Sequence, residues 1–466
     1  MKNHLLIVNA KIVLETGLFE GSILVNHGLI ENIFSKNRVL PEADIIIDAQ
    51  GKFVFPGAID PHVHLNLKTP MGTSSDDFYS GSKAALRGGT TTLIDFITPA
   101  RGESLLDAIR KRKAEAADCL VDYTFHLSPV EWSKNTAMEI IQAIHSEHIV
   151  SFKVYMAYKN SIGLEKNELE LVLRTVGKYG GIVLVHAEMG DEIEENVRLF
   201  VSKGLTSPEY HARSRPPQTE SEAVSWVVNA AMEHKCPLYV VHTSCGSSIS
   251  AVQEMIKSYK KSPVYFETCP QYLLFNDEVY QSPIQNALPF VISPPIRPEK
   301  ERMLLKSHLL NANIHSIGTD HCPFTRSEKI KYQHDFTKIP NGVGGIEFRL
   351  PVIYNELVVK EGMSVLKFVK LVATNPAKIF GLYPQKGVIR KGSDADLIIW
   401  DENADFGFDT KSQWQQTDIN IYDGYHAKGK PVIVIRKGEI VVREDVLVKQ
   451  TKGEFLDRKP IGKSGI

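Results

Sequence analysis

The chain has 466 residues, 43% hydrophobic and 23% charged, with 54 basic against 55 acidic side chains. It is long enough for a large core and too long for one small domain. The balanced charge excludes polyelectrolyte character, so neither nucleic acid nor a membrane surface is an expected partner.

Residues 1 to about 55 alternate short β-type runs with turns. Leu5–Val8, Ser22–Val25, Leu29–Phe34 and Ile45–Asp48 read as strands, with Gly17, Gly21, Gly28 and Gly51 between them. The first run is too short for a signal-peptide core, and no stretch approaches the length of a membrane span. The five cysteines (Cys119, Cys236, Cys245, Cys269, Cys322) are scattered and form no Cys-x-x-Cys. They suit a reducing compartment, and a cytoplasmic location is expected.

From Ala58 the texture changes to alternating strand and helix. Strands are predicted at Ala58–His62, Thr91–Ile97, Val121–Leu127, Ile149–Tyr155, Ile182–His186, Leu238–His242, Val264–Thr268 and Ile314–Gly318. Amphipathic segments lie between most of them: Ser104–Ala117, Ala137–Ser146, Glu168–Tyr179, Glu220–His234 and Ile249–Lys260. Eight βα repeats point to an α/β fold, a closed (β/α)8 TIM barrel. No Gly-x-Gly-x-x-Gly follows a strand, which argues against a dinucleotide cofactor. Helices are predicted around Ile346–Val359 and Val365–Ala373, and Pro376 suits the first turn of another. Strands return at Gly387–Ile389, Asp396–Trp400 and Val432–Arg436, with a turn at Lys437-Gly438. Each terminal β segment alone has too few strands to bury a core. The two are therefore expected to share one small β-sandwich, residues 1–55 plus 384–450, beside a barrel domain of residues 56–383. Residues 451–466 form a Lys- and Gly-rich tail, a loose end or an oligomer contact.

Barrel active sites lie at the C-terminal ends of the strands. His62 and His64 end the first strand, and their i, i+2 spacing points both imidazoles to one side. Lys153 lies near the end of the fourth strand. His186 ends the fifth and His242 the sixth, Glu267-Thr268-Cys269 ends the seventh, and Asp320 and His321 follow the eighth. One histidine after a strand signals little. Four histidines and an aspartate at the same end of an eightfold repeat point to a metal site, because buried together without a cation they would leave polar groups unsatisfied. Lys153 admits two readings. It forms a buried salt bridge, or its neutral amine adds CO2 and the anionic carbamate bridges two cations. In the second case His62, His64 and Asp320 hold one metal, and His186 and His242 the other.

These residues are those of the amidohydrolase superfamily, and the chain resembles its dihydropyrimidinase and D-hydantoinase family. The resemblance covers almost the whole length, through PGAIDPHVHL, SSDDFYSGSKAALRGGTT, SFKVYMAYK, LVHAE, YHARSRPP, PLYVVHTSC, ETCPQYL, SPPIR, GTDHCPF, IPNGVGGIE and ATNPAKIFGLYPQKG. It implies zinc-dependent ring opening of cyclic amides, 5,6-dihydropyrimidines and 5-substituted hydantoins, to N-carbamoyl amino acids. It also implies two zinc ions per subunit, bridged by N6-carboxylated Lys153 and a hydroxide, with His62, His64, His186, His242 and Asp320 as further ligands. By the same resemblance Asp320 is the proton shuttle. Tyr158 binds the substrate carbonyl, Ser293 and Asn341 hold the ring largely through main-chain groups, and the subunits form a homotetramer.

Related branches fit less well. Dihydroorotases commonly carry an arginine where this chain has Asn66. An allantoinase-like cyclic amidohydrolase is the alternative, since allantoinases can have asparagine there. Non-catalytic scaffold relatives have lost metal ligands, and all six are present here. The chain departs from the family at Tyr155, where many hydantoinases have phenylalanine, at HAEMGD, and in the loop Leu65 to Gly72, which carries Lys68. Tyr155 and that loop are expected to border the ring substituent and to favour small or polar groups over large aromatic ones.

Overall fold

The computed structural model describes residues 4–159, 161–259 and 262–460. Eight strands run parallel in chain order: Ala58–Val63, Thr90–Ile97, Asp122–Leu127, Ser151–Tyr155, Ile182–His186, Leu238–Val240, Val264–Thr268 and Ser316–Ile317. Helices such as Leu105–Glu115, Lys166–Lys178, Pro217–Glu233 and Gly246–Ser258 alternate with them. This is the predicted (β/α)8 barrel.

Strand periodicity explains the layering. Phe152, Val154, Val183 and Val185 belong to the apolar layer shared with the helices. The alternate residues Ile94, Phe96, Ile182, Leu184 and Tyr239 belong to a separate interior core. Ala377, Ile379, Phe380 and Leu382 join that interior core and plug it. The Phe380 ring lies 4.9 Å from both Tyr239 and His126. The plug sits at the N-terminal end of the strands, where Asn375 Nδ2 donates to the His315 carbonyl at 2.8 Å. The opposite mouth is left for chemistry.

The seam between the eighth and first strands is held largely by side chains. The described strands there form no ladder, only a single bridge between Val63 and His321. Arg349, fully buried, fills the gap. Its Nη1 donates to the carbonyls of Ile59 and Ile317, both at 2.8 Å, and its Nη2 to Thr90 Oγ1 at 3.0 Å. Thr319 Oγ1 donates to Asp60 Oδ2 across the same seam at 2.7 Å.

The terminal segments join as expected. They form one nine-stranded, mostly antiparallel sheet in which Phe53–Pro56 lies between Leu5–Leu14 and Leu397–Gly407. Its own apolar core includes Ile7, Ile23, Val25, Leu397 and Ile435. Buried Lys386 ties this sheet to the barrel, pairing with Asp394 at 2.8 Å and Asp396 at 2.7 Å, and with Asp122 at the start of the third barrel strand.

Three local expectations change. Gly387–Ile389 is not a strand. Gly387 takes a left-handed φ of 76°, and Val388 and Ile389 are buried without joining a ladder. The predicted helices at 346–359 and 365–373 are shorter α segments, Arg349–Ile353 and Val365–Val369, each passing into a wider π turn. The tail is no loose end through residue 460. Glu454 and Leu456 bracket Tyr123 in backbone hydrogen bonds, and buried Arg458 donates to Ser151 Oγ at 2.8 Å and to the Phe125 carbonyl. Lys260 and residues 461–466 of the predicted segments lie outside the described residues.

Candidate active site and metal centre

Five of the six ligand-type residues lie at the C-terminal end of the barrel because they close a strand or follow it within about three residues, and Lys153 sits one inward-facing position before Tyr155. His62 Nε2 and His64 Nε2 both lie 3.2 Å from Asp320 Oδ1. His186 Nδ1 lies 3.0 Å from His242 Nε2. The His62 and His242 rings are 5.2 Å apart, which joins the two groups. The donor atoms of His62, His242 and Asp320 fall within 4.8 Å of one another, an arrangement that could hold a metal ion. Lys153 Nζ lies between the Phe96 and Tyr155 rings, 4.9 and 5.1 Å from their centroids.

Two carboxylates orient the imidazoles. His62 Nδ1 is 2.7 Å from Glu267 Oε1, and His186 Nε2 is 2.8 Å from Glu188 Oε2. A carboxylate can only accept, so these nitrogens carry the protons. His62 Nε2 and His186 Nδ1 are then left as bare lone pairs facing the cluster. His62 Nε2 is buried and makes no hydrogen bond.

The electrostatics favour positive charge on the His62 side of the cluster. Burial alone would lower the His62 pKa, yet Glu267 and Asp320 outweigh it and hold it up. Burial would raise Asp320, but the His62, His64 and His242 imidazoles beside it hold it well below the usual carboxylate range. Burial keeps His186 and His242 low, in the neutral form a metal requires. The Lys153 amine is pulled down to about 8 by burial, against Asp320 and Glu267. The donor set and the unpartnered nitrogen therefore fit a bound cation.

The backbone is strained at this end. His242, Asp320 and Tyr158 take φ of 36°, 52° and 62°. Left-handed backbone at non-glycine residues is uncommon and concentrates at functional sites. The sixth strand ends at Val240 because the chain turns out of the sheet toward His242, whose N–H donates to Glu267 Oε1 at 2.9 Å.

Tyr158 is 5.4 Å from the His186 ring and engages the Ser293 side chain. Burial raises its phenol pKa, against the Arg215 guanidinium, which lies 5.3 Å over the ring. Asn341 is exposed, and Gly342 beside it donates to the Val291 carbonyl at 3.2 Å, which keeps this loop near Ser293. Tyr155 is buried, with its hydroxyl engaged by Thr98. Lys68 is exposed on a hairpin of Lys68–Thr69 with Gly72–Thr73. His321, which follows Asp320, is spent on structure: its Nδ1 accepts from Gly345 and Ile346 and its Nε2 meets Asp76.

Sequence reasoning gave no role to Glu188, Arg215 or Glu267. Glu188 stands two residues after His186 and Glu267 closes the seventh strand, so a search for acids sharing a strand end with the histidines would have found both. Glu267→Gln is expected to weaken metal binding by about 10–100-fold, read by competition with a chelator.

Fold and donor cluster together define a (β/α)8 barrel with a candidate metal centre at the C-terminal ends of its strands. The profile described as Amidohydrolase family matches residues 53–441. The chain is 37% identical over 461 residues to the D-hydantoinase of Geobacillus stearothermophilus, covering 98% of this chain and 97% of that one. It is 36% identical over 442 residues to the dihydropyrimidinase of Arabidopsis thaliana, covering 94% and 82%. The crystal structure of dihydropyrimidinase from Brevibacillus agri NCHU1002 superposes with a TM-score of 0.95 at 34% identity, covering 98% and 99%. The chain belongs to the amidohydrolase family and, within it, to the cyclic amidases formed by the D-hydantoinases and dihydropyrimidinases.

Proposed function

We propose that this chain opens 5,6-dihydropyrimidines and 5-substituted hydantoins to N-carbamoyl amino acids. The observation that carries the reading is the convergence of His62, His64, Lys153, His186, His242 and Asp320 beside Tyr158. These six residues would hold two zinc ions, with Lys153 carboxylated as the bridge. The chemistry supplied by bound zinc is Lewis acidity, which brings the pKa of a water toward neutrality and polarises a carbonyl.

The chain's own residues do the rest. Asp320 Oδ takes the proton from the attacking water and returns it to the ring nitrogen as the C–N bond breaks. The nitrogen leaves as the ureido group, and the carbonyl carbon becomes a carboxylate. The Tyr158 hydroxyl donates to the carbonyl oxygen as negative charge develops on it; such a donor supplies about 3 kcal/mol of transition-state stabilisation. The segments carrying Ser293 and Asn341 orient the flat ring.

The reading includes a homotetramer, measurable by sedimentation. It also includes a cytoplasmic location, supported by five cysteines that are all free and buried. The test is metal analysis with a panel of dihydrouracil, 5-substituted hydantoins, allantoin and dihydroorotate. About two zinc ions per chain and ring opening of dihydrouracil or a hydantoin are expected, with dihydrouracil faster than phenylhydantoin. Activity on allantoin alone, or full activity without metal, would overturn the reading.

A further inference from the structure

The groups proposed to hold the ring sit on separate loops, and a buried lysine lies where those loops meet. Lys329 belongs to the short helix Arg326–Ile330 and is 1% exposed. Its Nζ donates to the Val291 carbonyl at 3.0 Å. Among the described residues no carboxylate forms an ion pair with it. The neighbouring Glu328 is spent on the Thr325 N–H and hydroxyl, at 2.8 and 2.7 Å. Burial pulls the ammonium down to about 7. Enclosing an amine with one carbonyl partner is costly. A methionine of similar length would fill the same space without that cost, so packing does not explain the polar end.

The partner oxygen does explain it. The Val291 carbonyl also accepts from Gly342 N–H at 3.2 Å, beside Asn341. The next carbonyl, of Ile292, lies 2.7 Å from His211 Nε2, and Ser293 Oγ lies 3.4 Å from the same nitrogen. Gly342 is seated so tightly that a Cβ there would meet the Cys322 carbonyl at 2.2 Å. Helix, Ser293 segment and Asn341 loop therefore meet at one oxygen.

We propose that Lys329 is a positioning residue for the substrate: its Nζ, held on the Val291 carbonyl, locks the Val291–Ser293 segment against the Asn341–Gly342 loop and sets the gap in which the planar cyclic amide lies. The inference rests on the function proposed above. It is tested on the full, zinc-loaded chain with dihydrouracil or whichever hydantoin the wild type turns over. Lys329→Met is expected to raise KM by about tenfold, the effect of one lost positioning hydrogen bond. The kcat and the zinc content are expected to stay within about twofold, since the change removes binding and not chemistry. Should the methionine variant fail to fold, Lys329→Gln carries the test, with a KM rise of about threefold expected at unchanged kcat. An unchanged KM overturns the proposal, and so does a fall in zinc content or kcat in step with KM, which marks a general structural prop. A wild-type chain that opens no cyclic amide when zinc-loaded overturns the functional reading instead.

Discussion

Lys153→Ala is expected to lower turnover by about 10³-fold or more, near 4 kcal/mol, the order at which a buried site loses one of its own charge partners. The argument is electrostatic. Lys153 is 1% exposed and faces a cluster whose carboxylates include Asp320 and Glu267. As an ammonium it competes with a metal for those charges; as a carbamate it becomes a ligand. Burial favours the neutral amine from which a carbamate forms. Alanine would remove the proposed bridge and leave a side-chain-sized hole. A short carboxylate such as acetate is expected to restore part of the activity by occupying that hole. Undiminished turnover in the variant would refute the carbamate.

Asp320→Asn is expected to lower kcat by about 10³-fold, within the range for loss of a general acid–base group. Asparagine keeps the shape and one oxygen beside His62 and His64, both now 3.2 Å from Oδ1. It cannot carry a proton from water to the leaving nitrogen. Zinc retention by the variant, measured alongside the rate, separates the two roles of the residue. Retained metal with lost turnover identifies the shuttle. Retained metal with ordinary turnover would remove Asp320 from the mechanism.

Much of this architecture is legible in the sequence because strand periodicity and strand-end position are local. The spacing of His62 and His64 announces one side of one strand. The continuous apolar run Ile182–Val185 closed by His186 predicts that strand to the residue. Other features depend on partners remote in sequence. The sixth strand stops two residues before His242, since the left-handed turn there is held by Glu267, which no residue type near His242 signals. Gly387–Ile389 has the apolar texture of a strand, yet its side chains are buried without a ladder, and texture reports burial more directly than pairing. The order of the terminal sheet is likewise non-local: Phe53–Pro56 is inserted between strands that begin 392 residues apart, at Leu5 and Leu397. Glu188, Arg215 and Lys329 act through hydrogen bonds and charge, and a buried charged residue resembles an exposed one until the fold encloses it.

The Arg349 clasp bears on how this barrel can be tuned. His62 and His64 stand on one lip of the seam and Asp320 on the other. Between other neighbouring strands, the distance is dictated by backbone pairing at about 4.8 Å. Across this gap one backbone bridge, His64 N–H to the His321 carbonyl at 2.8 Å, is supplemented by a rivet of side chains, Arg349 with Asp60 and Thr319. The aperture between the imidazoles and the carboxylate therefore rests partly on side chains. Changes at residues 60, 319 and 349 would bear on it while every ladder register stays as it is.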